Sequence, residues 1–389
     1  MADGEGLDLF PELKRELRSY GRGVLPYQEI KALVAAGRIG GAEPVDEAQL
    51  QPASIDLRLG EVAYQVRASF LPGARGRVLD ALPELLIQQI DLRCGAVLQR
   101  GAVYVVPLLE ALQLPPSVQA KANPKSSTGR LDVLARLIAD YAEQFDRVPR
   151  GYHGPLYVEL APRTFNVRVR TGTKLNQVRF LRGVAPNADV SRKAAGAGEE
   201  LVYGEDGEPQ RASVLSGLWF SVDLKGGDSQ IIGWKAIHDA PVIDADRTGC
   251  YDPADFWEPV RRLPEGALIL KPGEFYILGS KERVRVPHAF AAEMVPYDPS
   301  VGEFRVHYAG FFDPGFGYGR GELRGTRAIL EVRSHEVPYA LRDGQKIGRL
   351  IYERLLAPPE KLYGTSAGSS YQFQRLGLSK HFRLPEHCA

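Results

Sequence analysis

The segment KANPKSSTGR (121–130) sets Lys125, the hydroxyls of Ser126 and Ser127, and Arg130 into one short stretch with Pro124 and Gly129. A turn of that make-up offers backbone N–H groups, hydroxyls and cations to a phosphate chain. A solvated loop would have the same composition. In HYAGFFDPGFGYG (307–319), Asp313 stands among aromatics and is followed by Pro-Gly. Close backbone approach and flat rings suit a sugar and base in a tight pocket; an ordinary turn, with Asp313 bonding its own backbone, is the alternative. In AILEVRS (328–334), Glu331 interrupts an apolar strand, as Glu159 does in LYVEL (156–160). Desolvation between Ile329, Leu330 and Val332 would raise the pKa of that carboxyl and ready it for proton transfer near neutrality. Strand alternation that turns the carboxylate outward competes with this reading. A fourth segment, QPASIDLRLG (51–60), alternates Ile55, Leu57 and Leu59 with polar neighbours, as a half-buried strand does.

The elements that must position these groups read mainly as strands. VYVVPLL (103–109), LYVEL (156–160), FNVRVR (165–170), FYILG (275–279), AILEVR (328–333) and RLIYERL (349–355) are rich in Val, Ile, Tyr and Phe and bounded by turn residues. Helical patterning is confined to 11–21, 27–39 and, less clearly, LDVLARLIADYAEQF (131–145). This ratio predicts an all-β barrel or sandwich with a few peripheral helices. The strands also repeat. Residues 101–120 lie over 273–292 without a gap, pairing Gly101 with Gly273, Tyr104 with Tyr276 and Pro115 with Pro287 at an offset of 172. The same offset sets Glu159 over Glu331, Gly172 over Gly344, Lys174 over Lys346 and Phe180 over Tyr352. A register held this long points to duplication. We expect a first repeat over 1–183, a polar Gly/Ala-rich linker over 184–212 and a second repeat over 213–389.

The 389 residues suffice for two domains, and Lys+Arg 49 against Asp+Glu 48 leaves a net charge of +1. A duplex-DNA binder would show a basic excess, so nucleic acid is not an expected partner, whereas a small anion needs only a few placed cations. Cys94, Cys250 and Cys388 are too scattered for a disulfide framework or metal knuckle, which predicts a reducing cytoplasm. His153, His307 and His335 show no ligand spacing. No apolar run approaches a membrane span, and the N-terminus has no signal-peptide core.

Taken together, the four segments resemble the deoxycytidine triphosphate deaminase branch of the trimeric deoxyuridine triphosphatase fold. QPASIDLRLG is similar to the family's opening strand. KSSTGR is similar to its Arg-Ser-Ser-x-x-Arg motif, with Lys125 at the first arginine. AGFFDPGF, beginning at Ala309, is similar to its Ala-x-x-x-Asp-Pro-Gly-Trp segment, and AILEVRS to the strand bearing the catalytic glutamate. YGTSAGSSYQFQRLGLSKHF (363–382) resembles the closing segment, with Ser370 where lysine is usual. The fold implied is a pair of tandem dUTPase-like distorted β-barrels of the jelly-roll, or β-clip, kind. The first repeat lacks the Asp-Pro-Gly turn, and the second has YDPSVGE (297–303) where Ser-Ser-x-x-Arg belongs. Since the family's site lies between subunits, the expectation is one site shared by the two repeats.

The resemblance implies hydrolytic removal of the 4-amino group of dCTP, giving dUTP and ammonia. It assigns proton transfer to Glu331, positioning of water or phosphate to Ser126 and charge stabilisation to Arg130. Lys125, Ser127, Ala309, Asp313, Tyr363 and Gln374 would bind the nucleotide, with Asp313 on the deoxyribose. Glu159 would be a relic or part of a second, weaker site. Mg²⁺ would come with the triphosphate. Zinc is not expected, because the zinc deaminases need H-x-E with P-C-x-x-C and the chain has no C-x-x-C. Two-repeat chains cannot close a three-fold assembly singly, so a homo-oligomer is expected, and dTTP is a further candidate nucleotide by resemblance alone. The competing functions are dUTP pyrophosphatase with Asp313 as base, a bifunctional enzyme, and an inactive nucleotide sensor.

Overall fold

The structure is a computed structural model that describes residues 21–183, 200–204, 206–210, 217–262, 264, 266–295, 304–307, 310–318, 324–334, 336–364, 371–372, 374 and 376–383. It is mainly β. The first half contributes strands β1 (Ile55–Leu57), β2 (Val62–Val66), β3 (Val103–Gln113), β4 (Val118–Pro124), β5 (Val133–Ala139), β6 (His153–Pro162), β7 (Val167–Val169) and β8 (Asn176–Arg182). From the second half come β9 (Leu218–Ser221), β10 (Ile231–Ala236), β11 (Ile243–Asp244), β12 (Phe275–Val284), β13 (Phe290–Val295), β14 (Phe304–His307), β15 (Phe311–Phe312), β16 (Thr326–Ser334) and β17 (Lys346–Arg354). Among the described residues the α-helices are α1 (Tyr27–Ala35), α2 (Val78–Leu85) and α3 (Ser126–Gly129).

The two halves use the same pairing registers. Tyr104 of β3 faces Leu160 of β6 and Val105 faces Glu159; in the second half Tyr276 faces Val332 and Ile277 faces Glu331. Lys121 opposite Arg179 is matched by Glu293 opposite Ile351. Because strand side chains alternate between faces, a shared register puts matching positions on matching faces. Hence Glu159 and Glu331 occupy matching points of two separate, corresponding sheets.

Two segments depart from the expected pattern. The stretch 131–145 forms strand β5 rather than a helix: Val133, Ala135, Leu137 and Ala139 alternate into the core while the whole strand pairs with β6. Sheet partners supplied by distant sequence override its helical spacing. Within the expected linker, Val202 and Tyr203 pair with Val284 and Arg283 at the end of β12 and are buried. That portion is part of the second sheet. Residues 11–20 of the helix expected at 11–21 lie outside the described residues, and Gly21 is not helical.

The halves are not independent bodies. The larger hydrophobic core joins Leu57, Val106, Leu137, Val158 and Phe165 of the first half to Trp257, Phe275, Ile277, Leu378 and Phe382 of the second. Strand β11 pairs in parallel with β7, Ile243 opposite Val167. Lys121 donates to Glu353 at 2.7 Å and to Glu293, while Asn123 donates to Glu293 at 3.1 Å. Arg333, on β16, reaches across to Asp132 and to Thr164 Oγ1 at 2.9 Å. Burying so many charges is tolerable because each finds an opposite charge or a donor.

Candidate active site

The seam between the halves opens into a cavity of about 260 Å³. On one side lie Gln51 and Asp56 from the β1 region, Lys125, Ser126, Ser127 and Arg130 from the α3 turn, and Gln177 on β8. Opposite are Gly310, Phe311, Phe312 and Asp313, Ile329 and Glu331 on β16, and Tyr363, Tyr371, Gln374 and Lys380 of the C-terminal segment. Eight of the nucleotide-site residues expected from sequence therefore share one cavity: Lys125, Ser126, Ser127, Arg130, Asp313, Glu331, Tyr363 and Gln374. Ala309 and Ser370 lie outside the described residues.

The α3 turn is compact because Lys125 O accepts from Thr128 N and Gly129 N at 2.8 and 3.0 Å, and Thr128 Oγ1 donates to Leu175 O at 2.9 Å. This anchors Ser126 and Ser127 at the cavity wall. Gly310 faces them, and a Cβ built there would stand 3.7 Å from Ser126 Oγ. A methyl there would meet that hydroxyl at ordinary van der Waals distance. Lys125 Nζ binds Asp56 Oδ2, to which Gln51 Nε2 also points at 3.5 Å. The other oxygen of Asp56, Oδ1, is buried without a hydrogen-bond partner.

Glu331 is buried, and desolvation pushes its carboxyl up to about 8 against the opposing pull of Arg130. Arg130 Nε stands 3.9 Å from Glu331 Oε1, near enough to attract but too far for a hydrogen bond. The guanidinium is already engaged: Nη1 donates to Gly377 O and Leu378 O at 3.1 and 3.2 Å, and its Cζ lies 3.9 Å from the centre of the Tyr371 ring. Its Nε is buried and unpartnered, as is Gln374 Oε1. A buried donor and a buried acceptor left unmatched around one cavity carry a desolvation cost that a bound polar ring would relieve.

Asp313 is half-buried, its side chain 11% exposed, and desolvation raises its pKa although Arg179 pulls the other way. Arg179, fully buried on β8, reaches Asp313 Oδ1 and Phe312 O, both at 3.4 Å, donates to Ala292 O at 3.1 Å and stacks on Phe311 at 4.0 Å. It fixes the Asp313 turn from the opposite half. Tyr363 packs on Phe316, with ring centroids 5.8 Å apart, and burial pushes its phenol up. Glu159 is elsewhere. It is paired with Arg136, whose guanidinium sits 3.7 Å over Phe145, and it does not line this cavity. The matched registers thus give the two glutamates equivalent backbone positions and opposite surroundings.

Sequence reading missed Gln51, Asp56, Gln177, Arg179, Gly310, Tyr371 and Lys380. Asp56 carried a usable signal, a carboxylate interrupting the apolar run of β1. Arg179 carried none, because its partners are about 113 to 134 residues away.

The family model described as "2'-deoxycytidine 5'-triphosphate deaminase (DCD) N-terminal domain" matches residues 21–184, and that described as the C-terminal domain matches 189–382. A crystal structure of 2'-deoxycytidine 5'-triphosphate deaminase from Agrobacterium tumefaciens is 50% identical, covers 86% of this chain and 99% of its own, and superposes with a TM-score of 0.81. A "dCTP deaminase" of Halorubrum lacusprofundi is 31% identical over 184 residues, 43% of this chain and 82% of that protein. A "dCTP deaminase, dUMP-forming" of Beutenbergia cavernae is 34% identical over 142 residues, 34% of this chain and 70% of that protein. Matches spanning both halves, joined to a seam that gathers the expected residues, place the chain in the dCTP deaminase family.

Proposed function

We propose that the chain catalyses dCTP + H₂O → dUTP + NH₃, with Glu331 as the proton carrier. The observation that carries this reading is the buried carboxyl of Glu331, held near pKa 8 at the wall of a cavity shared by both halves. A group titrating close to the working pH can move protons in both directions. Its carboxyl starts protonated and gives its proton to ring N3 as water adds at C4. The carboxylate takes a proton from that water and passes it to the departing amine. As the C4=O bond forms, the remaining hydroxyl proton returns to Glu331, so one water hydrogen replaces the proton given to N3 and the other leaves in ammonia. Arg130 Nε, unpartnered and turned toward Glu331, would offset negative charge at the attacking oxygen. The Ser126 hydroxyl would hold the water or an adjacent phosphate oxygen.

Asp313 would take the deoxyribose, and Lys125 with Ser127 the phosphates. Mg²⁺ enters as the triphosphate's counter-ion, part of the substrate, and the unpartnered Asp56 Oδ1 is a fitting carboxylate for its water shell. Glu159, neutralised by Arg136, is on this reading the inactive relic of a duplication. Two fused repeats leave a three-fold ring open, so further chains would complete it.

A second reading is favoured by the names of relatives from Beutenbergia cavernae and Halobacterium salinarum, both "dCTP deaminase, dUMP-forming". In it dUTP is cleaved onward to dUMP and pyrophosphate, with Asp313, whose pKa is raised by burial, as the base. Incubation with dCTP and Mg²⁺, followed by chromatography of the nucleotides and an ammonia assay, separates the cases. Ammonia with dUTP supports the first, ammonia with dUMP and pyrophosphate the second. Tight binding without ammonia would reject both.

A further inference from the structure

The cavity is electrically uneven. The charged groups that act on Glu331 are Arg130 and Asp132, whereas those that act on Asp313 are Arg179, Asp56 and Lys125. Glu331 and Arg130 therefore form one end, Lys125 and Asp56 the other, and Asp313 lies toward the second. Lys380 lines the same cavity, Lys125, Asp56, Asp246 and Lys174 act on its charge, and the adjoining Ser379 is hydrogen-bonded to Ser127 O of the α3 turn at 2.9 Å. Lys380 belongs to the Lys125 end.

Lys125 is committed to Asp56. Lys380 is not committed: among the described residues its ammonium has no ion pair or hydrogen bond, although desolvation and the Lys125 charge both act against it. Only its backbone is tied down, N to Tyr371 Oη at 3.2 Å and O from Gly249 N at 2.9 Å. Its neighbours are fixed too. Ser379 Oγ donates to Ser127 O at 2.9 Å, and His381 Nε2 meets Ala245 O at 2.9 Å. Asp56 and Asp246 favour its charge and Lys125 and Lys174 oppose it, but none of them pairs with it, so a half-buried cation on a fastened backbone at the cavity wall has its donors free for an anion.

We propose that Lys380 is a phosphate-binding residue, contributed by the C-terminal segment, that grips the polyphosphate of the nucleotide opposite the α3 turn. This rests on the nucleotide reading of the cavity and adds its direction: pyrimidine toward Glu331, polyphosphate toward Lys125 and Lys380. A single side chain placed this way couples recognition of the triphosphate to docking of the C-terminal segment. The chemistry recognised is a run of phosphate oxygens, so inorganic tripolyphosphate is a sufficient probe.

The test compares wild type, Lys380→Met and Lys380→Arg in two measurements. In steady-state deamination of dCTP, Lys380→Met should raise KM about ten- to a hundred-fold, the scale of a lost charge-assisted contact. The change should fall in KM rather than kcat, shrink for dCMP, and be largely restored by Lys380→Arg. In calorimetry, wild type and Lys380→Arg should bind tripolyphosphate and Lys380→Met should bind it at least about ten-fold more weakly. Unchanged KM and unchanged tripolyphosphate affinity in Lys380→Met overturn the proposal, as does an equal KM rise for dCMP and dCTP. If wild type releases no ammonia, the deaminase reading fails by itself, and the tripolyphosphate titration still decides the role of Lys380.

Discussion

Glu331 and Glu159 show how far surroundings outweigh identity. Both are buried at matching sheet positions, yet Glu159 meets a cation on the neighbouring strand and Glu331 meets the cavity. Glu331→Gln should therefore abolish ammonia release, while Glu159→Gln keeps most of it, measured as kcat on dCTP; the reverse pattern moves the chemistry to the first half. Protonation also sets a pH limit. The starting acid form is lost as pH rises through about 8, so kcat/KM should decline above that point. Stability shares the origin. A carboxyl raised from 4.5 to about 8 binds its proton more tightly folded than unfolded. Its ionisation thus costs the folded state nothing below about pH 4.5, and the penalty grows through the window up to about 8. Glu331→Gln removes the penalty, so its melting temperature should exceed that of wild type by a margin that widens from pH 5 to 8. A constant margin across that range would contradict the shift.

At the scale of elements, the α3 turn and the C-terminal segment work as one clasp. Arg130 holds the carbonyls of Gly377 and Leu378 and lies against Tyr371, while Ser379 returns a hydrogen bond to Ser127 O. Arg130→Ala should cut turnover by about a hundred-fold or more, the usual scale for removing a charged stabiliser, and should make residues beyond 370 sensitive to limited proteolysis. Unchanged kinetics would exclude a site built from both halves. Much of this level was legible in the sequence. Alternating residues gave the principal strands, the 172-residue offset gave the matched registers, and split motifs pointed to a shared cavity. What escaped were contacts with no local signature. Arg179 reads as one more polar residue in KLNQVRFLRG until its strand is laid beside Asp313. Strand β5 reads as helix until β6 pairs with it.

For the whole molecule, the decisive fact is a core that belongs to both halves. Phe165 packs edge-on against Phe256 and Trp257, and Phe382 completes the cluster. Urea unfolding followed by tryptophan fluorescence and by circular dichroism should give coincident single transitions; two separated midpoints would mean the halves fold alone. Arg333→Ala should shift that single transition downward by about 1.5–3 kcal/mol, because it removes the charge-assisted bonds that Arg333 makes to Asp132 and Thr164.

The seam charges also constrain assembly. Lys121 and Glu293 hold matching places in the two halves and touch each other. Either half meeting its own kind there would set ammonium on ammonium or carboxylate on carboxylate where little water reaches. The pair therefore works as a lock: like halves repel, and only unlike halves, in complementary dress, can close the seam.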